Sequence, residues 1–309
     1  MPTRADIRAL LRSQIADLWS AGRVELVDAN YAEGVIDHDP VPGQPAGRAA
    51  MKEVVRAFRS AMPDLALTLH GALACGDMGV DFWTLSGTHT GPLFGIAPTG
   101  KRVSFSGVDM VRVGEDGRIA ELWHVEEMLQ FWQQLGLGEA TFGQPTGGGA
   151  PAPYPMVSDP GAGAGVPDAA LLTNTEQRNL VIARRHIEGL WAQGEVKLAH
   201  TLYAAGVVDH NPAPGQRPGV AGILDVLGWL REAVPDLAMR IECYVVDGDL
   251  AADRWTMRGT HTGAPLMGVP ARGRRFEIAG MDVIRIDRDG FITDIWHAEE
   301  LDKLKRVIA

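Results

Sequence analysis

Apolar positions along the first 130 residues change period once. Ile7, Leu10, Leu11, Ile15, Leu18 and Trp19 recur at three- and four-residue steps, the spacing of one helix face, and Gly22 closes the run. Met51, Val54, Val55, Phe58 and Met62 repeat that spacing until Pro63-Asp64 stops it. Alternation then becomes two-residue over about 64–74, 79–90, 101–113 and 118–126, which predicts four strands. Helices first and hairpin-linked strands afterwards form an α+β pattern, with helices on one face of a curved, mostly antiparallel sheet. Such a sheet wrapped round a helix makes a cone-shaped barrel, and the concavity inside is the default place for a ligand.

The same pattern then returns. LWSAG (18–22) recurs as LWAQG (190–194), VIDHDPVPGQPAG (35–47) as VVDHNPAPGQRPG (207–219), and GVDMVRVGEDGRIAELWHVEE as GMDVIRIDRDGFITDIWHAEE. The offset is 172 residues up to the GTHTG block and 173 afterwards, so one residue is inserted between Gly91 and Gly95. A period this long marks duplication of a whole domain rather than a solenoid. The chain therefore divides into domain 1 (1–137), a Gly/Pro/Ala-rich linker (138–172) and domain 2 (173–309). The linker composition cannot bury a core, and it leaves the two copies free to pair as an intramolecular pseudo-dimer. Further homo-oligomerisation stays open.

Bulk properties narrow the partners. The 309 residues are 46% hydrophobic and 22% charged, ordinary for a globular protein, and long enough for two cores. A net charge of −10 argues against a nucleic-acid groove and an anionic membrane surface. Cys75 and Cys243 fall at non-equivalent positions of the two copies, so a disulfide framework is not expected. The N-terminus lacks the apolar core of a signal peptide, and no run reaches membrane-spanning length, which predicts a cytoplasmic protein.

Duplication also works as an internal comparison. Six of nine histidines recur in pairs, His38/His210, His89/His261 and His124/His297, while His70, His186 and His200 do not. Asp116-Gly117 is a two-residue turn signal between alternating segments, and counting back from it sets Asp109 opposite His124. Asp289-Gly290 sets Asp282 opposite His297 in the same way. Cross-strand neighbours share a face, so each carboxylate meets an imidazole on a largely apolar surface. That pairing suits general acid/base catalysis, the Asp fixing the ring's tautomer; a mutually satisfied buried polar pair is the structural alternative. Trp83 and His89 share a face, as do Trp255 and His261, which suits contact with a ring-shaped ligand or a plain aromatic core. His38 and His210 sit where a Pro/Gly loop should enter the pocket, and Glu127 and Glu300 follow the histidine strand as second acids or solvated groups. No compact metal-ligand spacing and no phosphate-binding glycine loop between strand and helix occurs, so no metal or cofactor is predicted.

DHDPVPGQPAG, MPDLAL, GTHTG…GIAPTGKRV and DGRIAELWHVEEMLQFWQQLG resemble the SnoaL-like polyketide cyclases and ester cyclases of the nuclear transport factor 2-like superfamily. The likeness covers nearly all of both copies outside the linker. It implies an α+β cone with a hydrophobic pocket, and ring closure by intramolecular aldol condensation without metal or organic cofactor, an aspartate acting as acid/base. The resemblance sets that aspartate at His124 and a family histidine at Asp109, so the two identities are exchanged here. The expected function is acid/base chemistry on a small or polycyclic hydrophobic carbonyl compound. His124 and His297 would move the proton, oriented by Asp109 and Asp282, while His38, Trp83, His89, Glu127, His210, Trp255, His261 and Glu300 line the pocket. Isomerisation, dehydration, hydrolysis, simple ligand binding and a scaffold role are the alternatives the fold admits.

Overall fold

The computed structural model describes residues 2–41, 44–137 and 165–309. In the first half, helix α1 (Arg4–Ser13) runs on into a π-helical segment, Gln14–Ser20, and is followed by α2 (Leu26–Asn30), β1 (Tyr31–Asp37) and α3 (Arg48–Ala61). Strands β2 (Ala66–Cys75), β3 (Met78–Thr88), β4 (Arg102–Val113) and β5 (Ile119–Glu126) come next, then α4 (Met128–Leu135). The second half repeats this as α5 (Asn174–Arg184), a π-helical segment (Arg185–Ala192), α6 (Ala199–Leu202), β6 (Tyr203–Asp209), α7 (Gly219–Ala233), β7 (Ala238–Asp247), β8 (Leu250–His261), β9 (Arg274–Ile286), β10 (Ile292–Glu299) and α8 (Leu301–Ile308). Each half is one five-stranded sheet, ordered β1-β5-β4-β3-β2 and β6-β10-β9-β8-β7. All neighbours are antiparallel except the edge strands β1 and β6, which run parallel to β5 and β10. Both halves are thus α+β, as the periodicity predicts.

Two elements per half escape the pattern. In β1 the central Glu33 and Gly34 are both exposed and the register shifts along the strand, so two-residue alternation is broken. Helix α4 is only eight residues long and is held by burial of Phe131, Trp132 and Leu135 rather than by length.

The two faces of each sheet have different partners. On the inner face of the first half, Val111, Val113 and Leu122 pack with Ile7, Leu11 and Leu18 of the helical layer. Trp83 and Leu85 join Phe58, Phe105 and Phe131 further along the cone. Trp83 lies across Gly107, its cross-strand neighbour: a Cβ there would sit 2.4 Å from the indole. Gly280 stands in the same relation to Trp255, at 2.1 Å. Gly107→Ala should therefore displace the indole and cost about 1–3 kcal/mol by overpacking. Gly34→Ala, which meets nothing within 4 Å, should stay within about 0.5 kcal/mol. Urea titration of both variants checks the contrast.

The outer faces pack against each other. Val80, Phe82, Val108, Met110 and Val125 of one sheet form a single apolar cluster with Val245, Ala252, Ala279, Met281, Val283 and Ala298 of the other. At the rim of this seam Arg4 pairs with Glu176 at 2.6 Å, and both Arg4 and Arg8 reach Asp247. At the 172-residue offset, Arg4 and Glu176 are each other's counterparts, as are Cys75 and Asp247. Most of the linker predicted from composition, 138–164, lies outside the described residues. Its last eight residues are anchored at both ends: the Gly165 carbonyl accepts from the Tyr244 N–H, Asp168 caps a short turn, and Leu172 is buried in the seam. Composition could not show this, because the anchoring is supplied by the other elements. Among the described residues no helix is long and apolar enough to cross a membrane.

Candidate active site

The register deduced from the turn holds at the acid–imidazole pairs, while nearer the turn it slips by one residue, pairing Val113 with Ile119 rather than Ala120 and Ile286 with Ile292. Asp109 is the cross-strand partner of His124, and Asp282 of His297. Both pairs lie on the inner face, and each belongs to a longer row. Asp81 faces Asp109 from β3 and Asp253 faces Asp282 from β8. On the other side Asp37 and Asp209 end the edge strands. Each cone therefore carries a band running Asp–His–Asp–Asp across four strands, with Glu126 or Glu299 two residues beyond the histidine on the same face.

The bonding within the band differs from the expected dyad. His124 Nε2 lies 3.2 Å from Asp37 Oδ1, and Nδ1 lies 2.7 Å from Glu126 Oε1. His297 repeats this with Asp209 at 3.0 Å and Glu299 at 2.7 Å. Asp109 instead accepts the indole N–H of Trp83 at 3.0 Å. It therefore does not orient the ring; the edge-strand aspartate does. Loop residues brace that aspartate, since the Gln44 amide donates to Asp37 Oδ2 at 2.8 Å and Gln216 to Asp209 at 2.7 Å.

Electrostatics follows from this geometry. Burial disfavours a charged His124 ring, but Glu126 and Asp37 together outweigh burial and hold the imidazolium well above its ordinary range. His297 is held in the same way by Glu299 and Asp209. Burial would raise Asp37, but its bond and attraction to His124 win, and it stays ionised below the usual range. Asp109 has no such partner. Burial pushes it up to about 7, the His124 charge only partly countering. Asp81, fully enclosed beside Asp109, is pushed well above the ordinary carboxylate range by burial first and by Asp109 second. One carboxyl poised near neutrality next to a fixed cation can exchange a proton at physiological pH.

Several expected residues stand elsewhere. His38 and His210 lie on the other face of the sheet, bonded to Glu121 at 2.9 Å and Asp294 at 3.0 Å and stacked on Trp123 and Trp296 at 4.4 Å. The strand turns its odd and even residues to opposite sides, so Asp37 enters the cone and His38 cannot. His89 and His261 are fully buried and brace the loop after β3 and β8, through Thr99 and the Ala264 carbonyl respectively. His89 is eight residues from Asp81, roughly 25 Å along an extended strand. Glu127 crosses the seam: its Oε1 accepts the backbone N–H of Glu299 at 3.2 Å. Glu300 accepts the Ala279 N–H and pairs with Lys303. Trp83 and Trp255 do flank the band. Unexpected members are Asp37, Asp81 and Glu126 with their counterparts Asp209, Asp253 and Glu299. Extending the two-residue period upstream from Trp83 would have found Asp81, and downstream from His124, Glu126. Among the described residues no group of three or more His, Cys, Asp or Glu side chains is disposed to hold a metal ion.

Burial, and then the nearby Glu299, push Glu127 up to about 8. Glu127 and Asp109 thus bind a proton more tightly folded than unfolded. Their stabilising effect is complete below pH about 4 and is lost as pH rises to about 7–8. Glu127→Gln should accordingly flatten the decline in urea midpoint between about pH 5 and about pH 8.5. A slope unchanged from the parent would place the titrating groups elsewhere.

An open pocket of about 200 Å³ in the first half is lined by Gln44, Val54, Phe58 and Phe94 among others, and by none of the band residues. Gln44 links it to Asp37. A pocket of about 420 Å³ in the second half lies beside Tyr203, Val220 and Phe291, so the two are not counterparts.

The family model for SnoaL-like polyketide cyclases matches residues 9–135 and again 181–306. Among solved structures the chain is similar to TsrD from Streptomyces laurentii, 27% identical, covering 44% of this chain and 99% of that one, with a TM-score of 0.41. It is also similar to a candidate polyketide cyclase from Bacillus cereus ATCC 10987, 28% identical, covering 43% and 81%, with a TM-score of 0.38. A third, from Acidithiobacillus ferrooxidans, is 28% identical, covering 44% and 98%, with a TM-score of 0.37. Comparison with the curated proteins gives no match. With the family model spanning both halves, the chain belongs to the SnoaL-like polyketide cyclase family, and does so twice over.

Proposed function

We propose that the protein catalyses proton transfer next to the carbonyl of a small or polycyclic hydrophobic compound of polyketide type, leading to ring closure. The observation that carries this reading is the pairing of a carboxyl poised near neutrality with an imidazolium that two other carboxylates hold charged. Ionised Asp109 removes a proton α to the carbonyl; the C–H electron pair becomes the C=C bond as the carbonyl π pair moves to oxygen, and the enolate carbon then attacks a second carbonyl of the same molecule. His124 supplies the fixed positive charge toward which the enolate oxygen develops, and the proton on Asp109 returns to the new alkoxide. A preorganised charge of this kind needs no reorientation during the step. Held between two carboxylates, His124 is already protonated and cannot be the base, so the roles expected from sequence are reversed. Asp282 and His297 hold the same positions in the second half. The family membership supports this reading; no cofactor is invoked.

The test is exchange of α-protons of 2-tetralone in D2O, followed by NMR, with the intact chain. Acceleration over buffer supports proton transfer. Saturable binding of the ketone with no faster exchange would mark a binding protein instead.

A further inference from the structure

The bands themselves match, but their buried surroundings differ. Gln14 of the first half is replaced by His186 in the second, one of the three histidines that duplication did not preserve. Gln14 is bonded to Asn30 at 3.3 Å. His186 is 1% exposed, and its Nδ1 lies 2.8 Å from the Tyr203 hydroxyl. Its Nε2 has no hydrogen-bond partner among the described residues and lies 3.6 Å from Asp282 Oδ2. The indole next to Asp282 also differs. Trp83 donates to Asp109, whereas the buried Trp255 N–H has no partner among the described residues. Asp282 thus faces a second imidazole where Asp109 faces an indole N–H.

We propose that His186 is a proton-holding positioning residue of the second site, acting through Asp282, and that the two halves are therefore not equivalent in how they carry protons. With the Tyr203 hydroxyl as donor to Nδ1, the ring proton stands on Nε2, on the side of Asp282. Tyr203 from β6 touches the ring and Asp282 from β9 faces it; Asp209 from β6 and Asp253 from β8 stand near Tyr203, and His297 on β10 is the cross-strand partner of Asp282. Four carboxyls and one imidazole make up the first band; four carboxyls and two imidazoles make up the second. The second site thus sets two imidazoles against its carboxyls where the first sets one. This deepens the proposed acid/base reading and rests on it for its catalytic meaning, but its geometry can be tested without turnover.

The experiment is ¹⁵N NMR of the histidine side chains in the full chain. Expected first is the Nε2-protonated tautomer of neutral His186; an Nδ1-protonated ring would overturn the proposal. His186→Asn then keeps a group at the Nδ1 position for Tyr203 and removes the one facing Asp282. Asp282 then presents its full charge to His297, whose titration midpoint should rise by about half a pH unit or more. An unmoved midpoint in a folded variant would show that His186 only anchors Tyr203. Should His186→Asn not fold, the tautomer of the parent still decides. A failed 2-tetralone exchange with both NMR results as expected would discard the reaction and leave the unequal proton networks standing.

Discussion

Asp109→Asn combined with Asp282→Asn should lower ketone α-proton exchange by about two to four powers of ten, the usual contribution of a positioned acid/base group. Asparagine keeps the shape and still accepts the Trp83 indole N–H, so folding should be retained, and thermal melting checks this. Exchange in the parent should rise with pH through about 7, as Asp109 loses its proton. It should fall again only well above the ordinary histidine range, where His124 gives up its charge. His124→Gln with His297→Gln should cost about 10²–10³, the effect of deleting one charge-stabilising donor; it should remove the alkaline limb and move the acid limb to higher pH, since Asp109 loses the charge that holds it down. A double asparagine variant with undiminished exchange would take both carboxyls out of the mechanism.

The second large effect belongs to the seam. Met281 is fully buried in the cluster formed by the two outer sheet faces. Met281→Glu places a carboxylate there with no partner, and a charge left uncompensated in such a place costs about 3–5 kcal/mol. The urea midpoint should fall accordingly, and less at low pH, where the new carboxyl is neutral. Ile36→Glu, at a position 52% exposed, should lie within about 0.5 kcal/mol of the parent. Equal midpoints for the two variants would mean that the outer faces do not depend on each other.

Most of the architecture could be read from residue spacing because its causes are local. Counting from Asp116-Gly117 gives the facing pairs of β4 and β5 from Arg112 back to Gly107, although the turn itself is wider, Gly114 to Arg118, and pairs Val113 with Ile119. The pairing of Asp109 with His124 was legible on that ground. Their bonding was not. The ring nitrogens are claimed by Asp37, 87 residues away in sequence on a parallel edge strand, and by Glu126. A parallel pairing leaves no turn from which to count, so nothing local announces that Asp37 arrives beside His124. For the same reason His38 looked like a pocket residue: the dipeptide sits in the right loop, but only the strand's direction decides which of its two side chains enters the cone. Trp83 was placed on the correct face, but the glycine that makes room for it, Gly107, belongs to the neighbouring strand and was invisible along β3.

The ion pair between Arg4 and Glu176 has a consequence for how such a molecule can change. Two identical chains meeting about a dyad must put each axial residue against its own copy, so a charge there repels itself and every substitution is felt twice. Joining the copies into one polypeptide lifts that restriction: position 4 can become basic while position 176 becomes acidic. Opposite charges at the dyad favour union of unlike halves over like ones. Once the surfaces need not match themselves, the interiors are also free to drift apart one side chain at a time, and a single gene can then hold two differently tuned cavities in fixed proportion.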